Sequence, residues 1–353
     1  MEQKKKNYTE LWELGEFRLI DLLTENNKIR NKSTIKAIGD DAAVIRYDGD
    51  LVTVITTDLL VEGIHFDLTY TPLKYLGYKA VAVNLSDVYA MNAVPEQITF
   101  SFAVSNKFTY EALKEIYEGI YQACDEYGVD LIGGDSTSSR RGLFISVTAL
   151  GKTSPDRLAY RSGAKPGDLV CVTGDLGASY MGLLLLEREK KVVANNPGIQ
   201  PDWEGKDHIL RQFLRPFARK DVVELFAEKN IVPNAMIDIS DGLSSEILHI
   251  CQDSGVGAKI FEERLPIHDQ TREMANEMNI DPTIAAMNGG EDYQLLFTLP
   301  VEEFAKIKDY PDIHVIGNIT DKPSEINLIA LNGAEVPITA QGWNSYDEKP
   351  FDN

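Results

Sequence analysis

The 353-residue chain has little cysteine and little positive charge. Its three cysteines, Cys124, Cys171 and Cys251, stand far apart with no CxxC spacing. That excludes a disulfide framework and a zinc knuckle, and leaves buried thiols as the expectation. Lysine and arginine number 35 against 55 acidic residues, for a formal net charge of −20. A nucleic-acid-binding surface needs a basic patch to replace condensed counterions, so no nucleic-acid partner is expected. No run of 18 consecutive apolar residues occurs, so neither a spanning helix nor a membrane partner is expected. Lys4, Lys5 and Lys6 lead into polar Asn7-Tyr8-Thr9-Glu10 rather than an apolar signal core, which makes the cytoplasm the expected location. Also missing are the GxxxxGKS or GxxxxGKT phosphate loop, the HRD and DFG pair of protein kinases, HExxH, and a complete GxGxxG after a strand. The usual nucleotide folds and helix-borne zinc sites are thereby set aside.

What is present is globular in composition, 43% hydrophobic and 25% charged, and long enough for two packed domains. Leu51 to Thr57, Ile98 to Val104 and Leu143 to Leu150 are apolar and β-branched and read as buried strands. Between them, Tyr75 to Met91 and Thr109 to Tyr127 carry apolar residues at helical spacing. A stretch rich in Pro, Gly, Ser and charge follows Gly151, placing a domain boundary at 154, with an amino-terminal domain over 1–154 and a carboxy-terminal one over 155–353. The second half mixes strands (Leu169 to Thr173, Met236 to Ile239, Gln294 to Leu299, Val315 to Ile319) with helices (Ser179 to Glu189, Leu243 to Ser254) and a polar insertion from Lys190 to Asp207. The fold class is α/β (α+β).

Aspartate recurs where elements meet loops: GDDAAV at Gly39, TTD at Thr56, NLSDVYAM at Asn84, GGDSTSS at Gly133 and IDISDG at Ile237. Singly, Asp40 and Asp41 read as turn or cap residues, and Asp238 and Asp241 as a strand-end turn into a capped helix. Together, with Gly, Ser or Thr beside them, they suit a divalent cation shared with phosphate. Magnesium takes about six oxygen ligands and is held by one or two carboxylates plus phosphate and water. Asp58 is expected at the carboxyl end of its strand, where open sheets build a ligand crevice. Thr56 and Thr57 add hydroxyls, and Gly133 and Gly134 would let backbone approach an anion. Asp87 falls within an apolar helical pattern, where an uncompensated carboxylate is costly. His65 follows on the same stretch, as a rim residue or a structural histidine.

GDDAAV, TTDLLVEGIHF, KAVAVNLSDVYAMNAVPE, LIGGDSTSS, RSGAKPGD, IDISDGLSSE and GGEDYQLLFT, in this order, resemble the thiamine-monophosphate kinases of the aminoimidazole ribonucleotide synthetase-like superfamily. The likeness runs from Gly15 to Trp343. It implies a two-domain fold whose amino-terminal sheet pairs across a homodimer, and a carboxy-terminal domain covering nucleotide and substrate. It implies ATP as co-substrate, several Mg²⁺ ions, and direct in-line transfer of the γ-phosphoryl group to thiamine monophosphate. Carried over, Asp58, Asp87, Asp135 and Asp238 are catalytic carboxylates. Asp41, Thr56, Thr57, Asp58, Asp87, Asp135, Asp238 and Asp241 hold metal, Gly134, Asp135, Arg161 and Ser240 meet the nucleotide, and His65, Glu291 and Trp343 meet the acceptor. The residues after Gly342 depart from the family's usual Gly-Tyr-Asp-His-Phe ending. A superfamily ligase is disfavoured by TTDLLVEGIHF and GGEDYQLLFT. A binding-only regulator would have to lose chemistry while keeping every matched acidic position.

Overall fold

The computed structural model describes Thr9, Leu11, Leu14 and residues 16–196 and 198–340. The first half forms a seven-stranded sheet. Its strands are β1 (Thr34–Lys36), β2 (Ala43–Ile45), β3 (Val52–Val61), β4 (Val94–Val104), β5 (Asp130–Gly133), β6 (Ser136–Ser138) and β7 (Phe144–Thr153). Their spatial order is β1-β2-β3-β7-β4-β5, with β6 also on β4. Helices α1 (Glu16–Thr24), α2 (Leu73–Ala90) and α3 (Tyr110–Tyr127) accompany it. Strands β8 (Leu169–Thr173), β9 (Ala235–Asp238), β10 (Gly257–Phe261), β11 (Leu295–Leu299), β12 (Ile313–Thr320), β13 (Ile326–Ile329) and β14 (Glu335–Pro337) make a second sheet in the order β14-β13-β10-β12-β8-β11-β9. Around it lie α4 (Ala178–Asn195), α5 (Asp207–Leu214), α6 (Lys220–Glu228), α7 (Leu243–Ser254), α8 (Asp269–Glu277), α9 (Pro282–Asn288) and α10 (Val301–Phe304). The mixed α/β class read from the alternating patterns holds.

Period-two patterning sets the faces of β3. Val52, Val54, Thr56 and Leu60 are buried toward α2, while Thr57 and Leu59 are exposed on the other side. Leu59, Leu60 and Val61 continue this alternation, so the strand runs on and pairs with β7 as far as Val61 opposite Phe144. Asp58 therefore lies inside the strand rather than at its end. Likewise α4 continues through Lys190 and Lys191 to Asn195, so the polar insertion begins as helix.

The α2 helix lies between the first sheet, α3 and β9 of the second sheet, which is why almost every residue from Leu76 to Ala90 is buried. It crosses α3 where Gly77 meets Gly119. A Cβ on Gly77 would fall 1.9 Å from the Ile116 carbonyl oxygen, and one on Gly119 1.8 Å from that of Lys74. One hydrophobic core joins Val54, Leu85 and Ile98 of the first half to Phe226, Met236 and Phe297 of the second. A separate core fills the space between α7 and the second sheet through Ile247, Ile250, Val172 and Ile316. Cys124, Cys171 and Cys251 are all buried free thiols. Burial pushes Cys124 up to about 11 and Cys251 up to about 12, so these thiols stay protonated near neutrality. Among the described residues no helix is long and apolar enough to cross a membrane.

Candidate metal and phosphate site

Three carboxylates from distant parts of the chain converge where α2 meets β9. Asp41 comes from the loop before β2, Asp87 from α2 and Asp238 from the end of β9, with one oxygen of each within 4.8 Å of the others. Each is placed by local structure. Thr56 Oγ1 on the buried face of β3 donates to Asp87 Oδ2 at 2.6 Å. Ser86 Oγ, one residue earlier on α2, donates to Asp238 Oδ2 at 2.5 Å and so fastens the first half to the second. Arg161 donates through Nε at 3.1 Å and Nη2 at 2.6 Å to a single oxygen, Asp41 Oδ1. Its backbone N–H is fixed in turn by Asp40 Oδ1 at 3.1 Å. The other oxygen of Asp41, Oδ2, is buried and has no hydrogen-bond partner among the described residues.

Raised pKa values follow from burial and this crowding. Burial pushes Asp41 up to about 8, with Arg161 opposing and Asp238 and Asp40 adding to the rise. Asp238 is raised to about 6 by burial, and then by Asp58 and Asp241, against the hydrogen bond from Ser86 and the charge of Arg161. Asp87 is held well above the ordinary carboxylate range by burial and by Asp58, Asp238 and Asp41. Three acids that repel one another, together with a buried oxygen that lacks a donor, suit a hard divalent cation.

Asp58 faces this cluster and adds to its repulsion. Its N–H donates to Asn84 Oδ1 at 3.1 Å, tying β3 to α2. Asp241 lies beyond it in the turn between β9 and α7, where its N–H donates to Glu246 Oε1 at 3.0 Å. The N-cap position of α7 is taken by Gly242. The carbonyl of Ser240 in the same turn accepts from Glu291 N–H at 2.6 Å.

Other expected residues stand apart. Thr57, on the opposite face of β3, donates to the Val147 carbonyl at 3.0 Å. Asp135 is exposed, its Oδ1 accepts the Ser136 N–H at 2.8 Å, and it is not among the carboxylates grouped around Asp87. Gly134 is required by β4 itself, since a Cβ there would sit 1.8 Å from the Phe100 carbonyl oxygen. Beside it opens a groove of about 570 Å³ lined by Phe100, Phe102, Tyr117, Leu131, Gly134 and Asp135. His65 is half-buried, with Nδ1 accepting the Val61 N–H at 3.0 Å. Trp343 lies outside the described residues.

Residue types alone missed Ser86, Asn84, Glu246 and Lys79. For Ser86, Asn84 and Lys79 the signal was available, because polar residues within the enclosed, largely apolar run of α2 must be aimed at partners; Glu246, on the partly exposed α7, carried no such signal.

Residues 39–153 match the AIR synthase related protein, N-terminal domain, and residues 165–328 match the AIR synthase related protein, C-terminal domain. The chain is 33% identical over 339 residues to the thiamine-monophosphate kinase of Bacillus subtilis (strain 168), covering 94% of this chain and 100% of that one. The chain belongs to the thiamine-monophosphate kinase family. Membership makes it a phosphotransferase. The thiamine-monophosphate kinase of Aquifex aeolicus (strain VF5) is 36% identical over 304 residues, covering 86% of this chain and 92% of the relative. A solved structure described as AaThiL complexed with AMPPCP and TMP superposes with a TM-score of 0.82 at 33% identity, over 96% of this chain and 100% of that chain. A hydrogenase maturation protein HypE in complex with ATP, 18% identical, shares the fold with a TM-score of 0.68 over 96% of this chain and 99% of its own.

Proposed function

We propose that this chain transfers the γ-phosphoryl group of ATP to thiamine monophosphate in line and directly, giving ADP and thiamine diphosphate. The observation that carries this reading is the convergence of Asp41, Asp87 and Asp238, within 4.8 Å, in a chain that is related along most of its length to thiamine-monophosphate kinases. The bound AMPPCP and TMP of the superposable AaThiL structure support both substrates.

Mg²⁺ fits the donors present, with Asp41, Asp87 and Asp238 at the centre and Thr56, Asp58 and Asp241 around them. Bound there, it would neutralise phosphate charge, which is the main obstacle when one anion attacks another. The chain's own residues set the geometry. Ser86 and Thr56 hold two carboxylates in fixed orientation, and Asn84 holds the strand that carries Asp58. Arg161 brings a guanidinium beside the cluster, where it balances acidic charge and serves a phosphate oxygen. Gly134, Asp135 and Ser240 meet the nucleotide, next to the aromatic groove at Phe100 and Tyr117. The acceptor phosphate is largely ionised near neutrality, with a second pKa of about 6 for such monoesters, so no dedicated base is required. His65 and Glu291 form the acceptor side.

The labour divides between residues 1–154, bearing most of the metal ligands, and residues 155–353, covering the nucleotide and acceptor. We place the enzyme in the cytoplasm as a homodimer, formed through the open face of the first sheet, where Leu59 is 56% exposed.

The test is ADP release by purified protein with ATP, Mg²⁺ and thiamine monophosphate, beside reactions lacking acceptor or carrying free thiamine. ADP and thiamine diphosphate, identified by mass, are expected together only with the monophosphate. ATP–Mg²⁺ binding without acceptor-dependent turnover would remove the assigned acceptor.

A further inference from the structure

Lys79 is a cation buried in the middle of α2. Its side chain is 2% exposed, its Nζ lies 2.7 Å from Glu291 Oε2, and the same nitrogen stands 4.0 Å from the centroid of the Phe213 ring. A buried ion pair contributes about as much as a well-packed apolar pair of the same volume, so stability alone does not call for lysine there. The pair's effect is geometric. Glu291 belongs to the loop before β11 and holds a left-handed φ of +56°, as does Tyr293 at +50°. Residues with a Cβ keep such a conformation where their surroundings over-determine it. Two contacts do so for Glu291: its N–H donates to the Ser240 carbonyl at 2.6 Å, and Lys79 grips its carboxylate. The Glu291 side chain is 26% exposed, and among the described residues Oε1 takes no hydrogen bond. One oxygen is held and the other is presented.

We propose that Lys79 is a positioning residue for the acceptor. By holding Glu291 across the junction of the two halves, it aims that carboxylate at the cationic portion of a phosphate-bearing acceptor. This rests on the reading of Glu291 as an acceptor contact. Lys79 is itself too enclosed to reach a ligand and acts only through Glu291. The contact continues through Ser240 into the turn between Asp238 and Asp241, so α2, which bears Lys79 and Asp87, fastens both the acceptor loop and the metal-site turn.

The test compares kcat and both KM values for Lys79→Met, Lys79→Arg, Glu291→Gln and the Lys79→Met/Glu291→Gln double variant in the full chain. Lys79→Met is expected to raise the KM for thiamine monophosphate about tenfold, the scale of one charge-assisted contact. The KM for ATP should stay within about twofold, as when acceptor binding alone is weakened. Lys79→Arg should recover most of the loss, and Lys79→Met should add little in the Glu291→Gln background. Equal shifts in both KM values, or independent losses in the double variant, would reduce Lys79 to a structural role and overturn the proposal. If Glu291→Gln raises the acceptor KM and Lys79→Met does not, the positioning role fails while Glu291 stands. If Glu291→Gln leaves it unchanged, the acceptor reading of Glu291 fails, and the proposal with it. Should Lys79→Met not fold by near-ultraviolet circular dichroism, Lys79→Gln takes its place with the same readings.

Discussion

Helices α2 and α3 are both 18 residues long and cross at paired glycines, yet they use polar residues in opposite ways. On α3, Glu111, Lys114, Glu115 and Glu118 face water, while Ile116, Ile120 and Tyr127 face the core, the ordinary division of an amphipathic helix. Beyond its exposed first turn, α2 has no water-facing side from Leu76 on to receive Lys79, Asn84, Ser86 and Asp87, so each is directed at a partner on β3, β9 or the Glu291 loop. The difference teaches that a polar residue's meaning depends on what packs around its helix. On a half-exposed helix it is solvated surface, and on an enclosed one it is machinery or a fastener.

The comparison is broken most severely at Asp87. Asp87→Ala should lower turnover by about a thousandfold or more, the scale expected when transition-state charge stabilisation is lost. It should leave the fold intact, because it relieves repulsion among the remaining carboxylates. Glu118→Ala on α3 should leave turnover unchanged. Near-normal turnover of Asp87→Ala would end the metal-site assignment.

The next largest effect falls on the crossing itself. Gly119→Ala places a methyl group 1.8 Å from the Lys74 carbonyl oxygen, which a rigid backbone cannot accommodate. A loss of about 1–3 kcal/mol is expected from forced overpacking, measured by denaturant unfolding. An unchanged midpoint would mean that the helices separate at little cost.

Acidity separates crowded from paired carboxylates. Asp41 and Asp238 are raised in the fold, to about 8 and about 6, so their contribution is full below the ordinary value of 3.8 and is lost as pH rises through those values. Chelator-treated protein should therefore lose Tm between about pH 5 and 8, and Mg²⁺ should raise Tm more at pH 8 than at pH 5. Asp221 behaves oppositely. Burial would raise it, but hydrogen bonds and charge from Arg219, with Tyr310, outweigh burial and lower it. Its contribution is present above the ordinary carboxylate value and lost as pH falls through the lowered one. A metal-free Tm that is flat or rises toward pH 8 would contradict the crowding at Asp87.

The smallest change sharpens the α3 side. Thr109 Oγ1 accepts the Ala112 N–H at 3.2 Å as the N-cap of α3. Thr109→Ala should cost about 1 kcal/mol in unfolding free energy without altering either KM. A shift in KM would show that α3 communicates with the site more directly than its solvated face implies.

Much of this was readable before any fold was known. Elements with strong periodicity, such as Tyr110 to Tyr127 and Leu243 to Ser254, appear within a residue or two of where their patterns place them. The acidic motifs that hold Asp41, Asp87 and Asp238 were also visible, because clustered aspartate beside glycine and hydroxyl residues is a chemical signature that survives without coordinates. Thr57 shows the limit. It stands in the same TTD as Asp58, but a period of two sends neighbouring side chains to opposite faces, and only burial on both sides of β3 says which face matters. Asp135 shows another, since its motif resembles the others while its carboxylate stays in water, with a local backbone partner.

The sequence by itself determined the α/β class, the family and the set of acids available, since composition, periodicity and motif order are local properties of the chain. Only the tertiary structure decided that Ser86 bonds to Asp238 from the other half, that Lys79 reaches Glu291, and that one oxygen of Asp41 is buried without a donor among the described residues. Those contacts join residues 152, 212 and 120 positions apart, the last being the Asp41–Arg161 pair that leaves the second oxygen unpaired. Propensity and spacing act over a few residues, and nothing local encodes which distant carboxylate a buried hydroxyl will meet. Packing α2 between two sheets does, because enclosure removes water as the alternative partner.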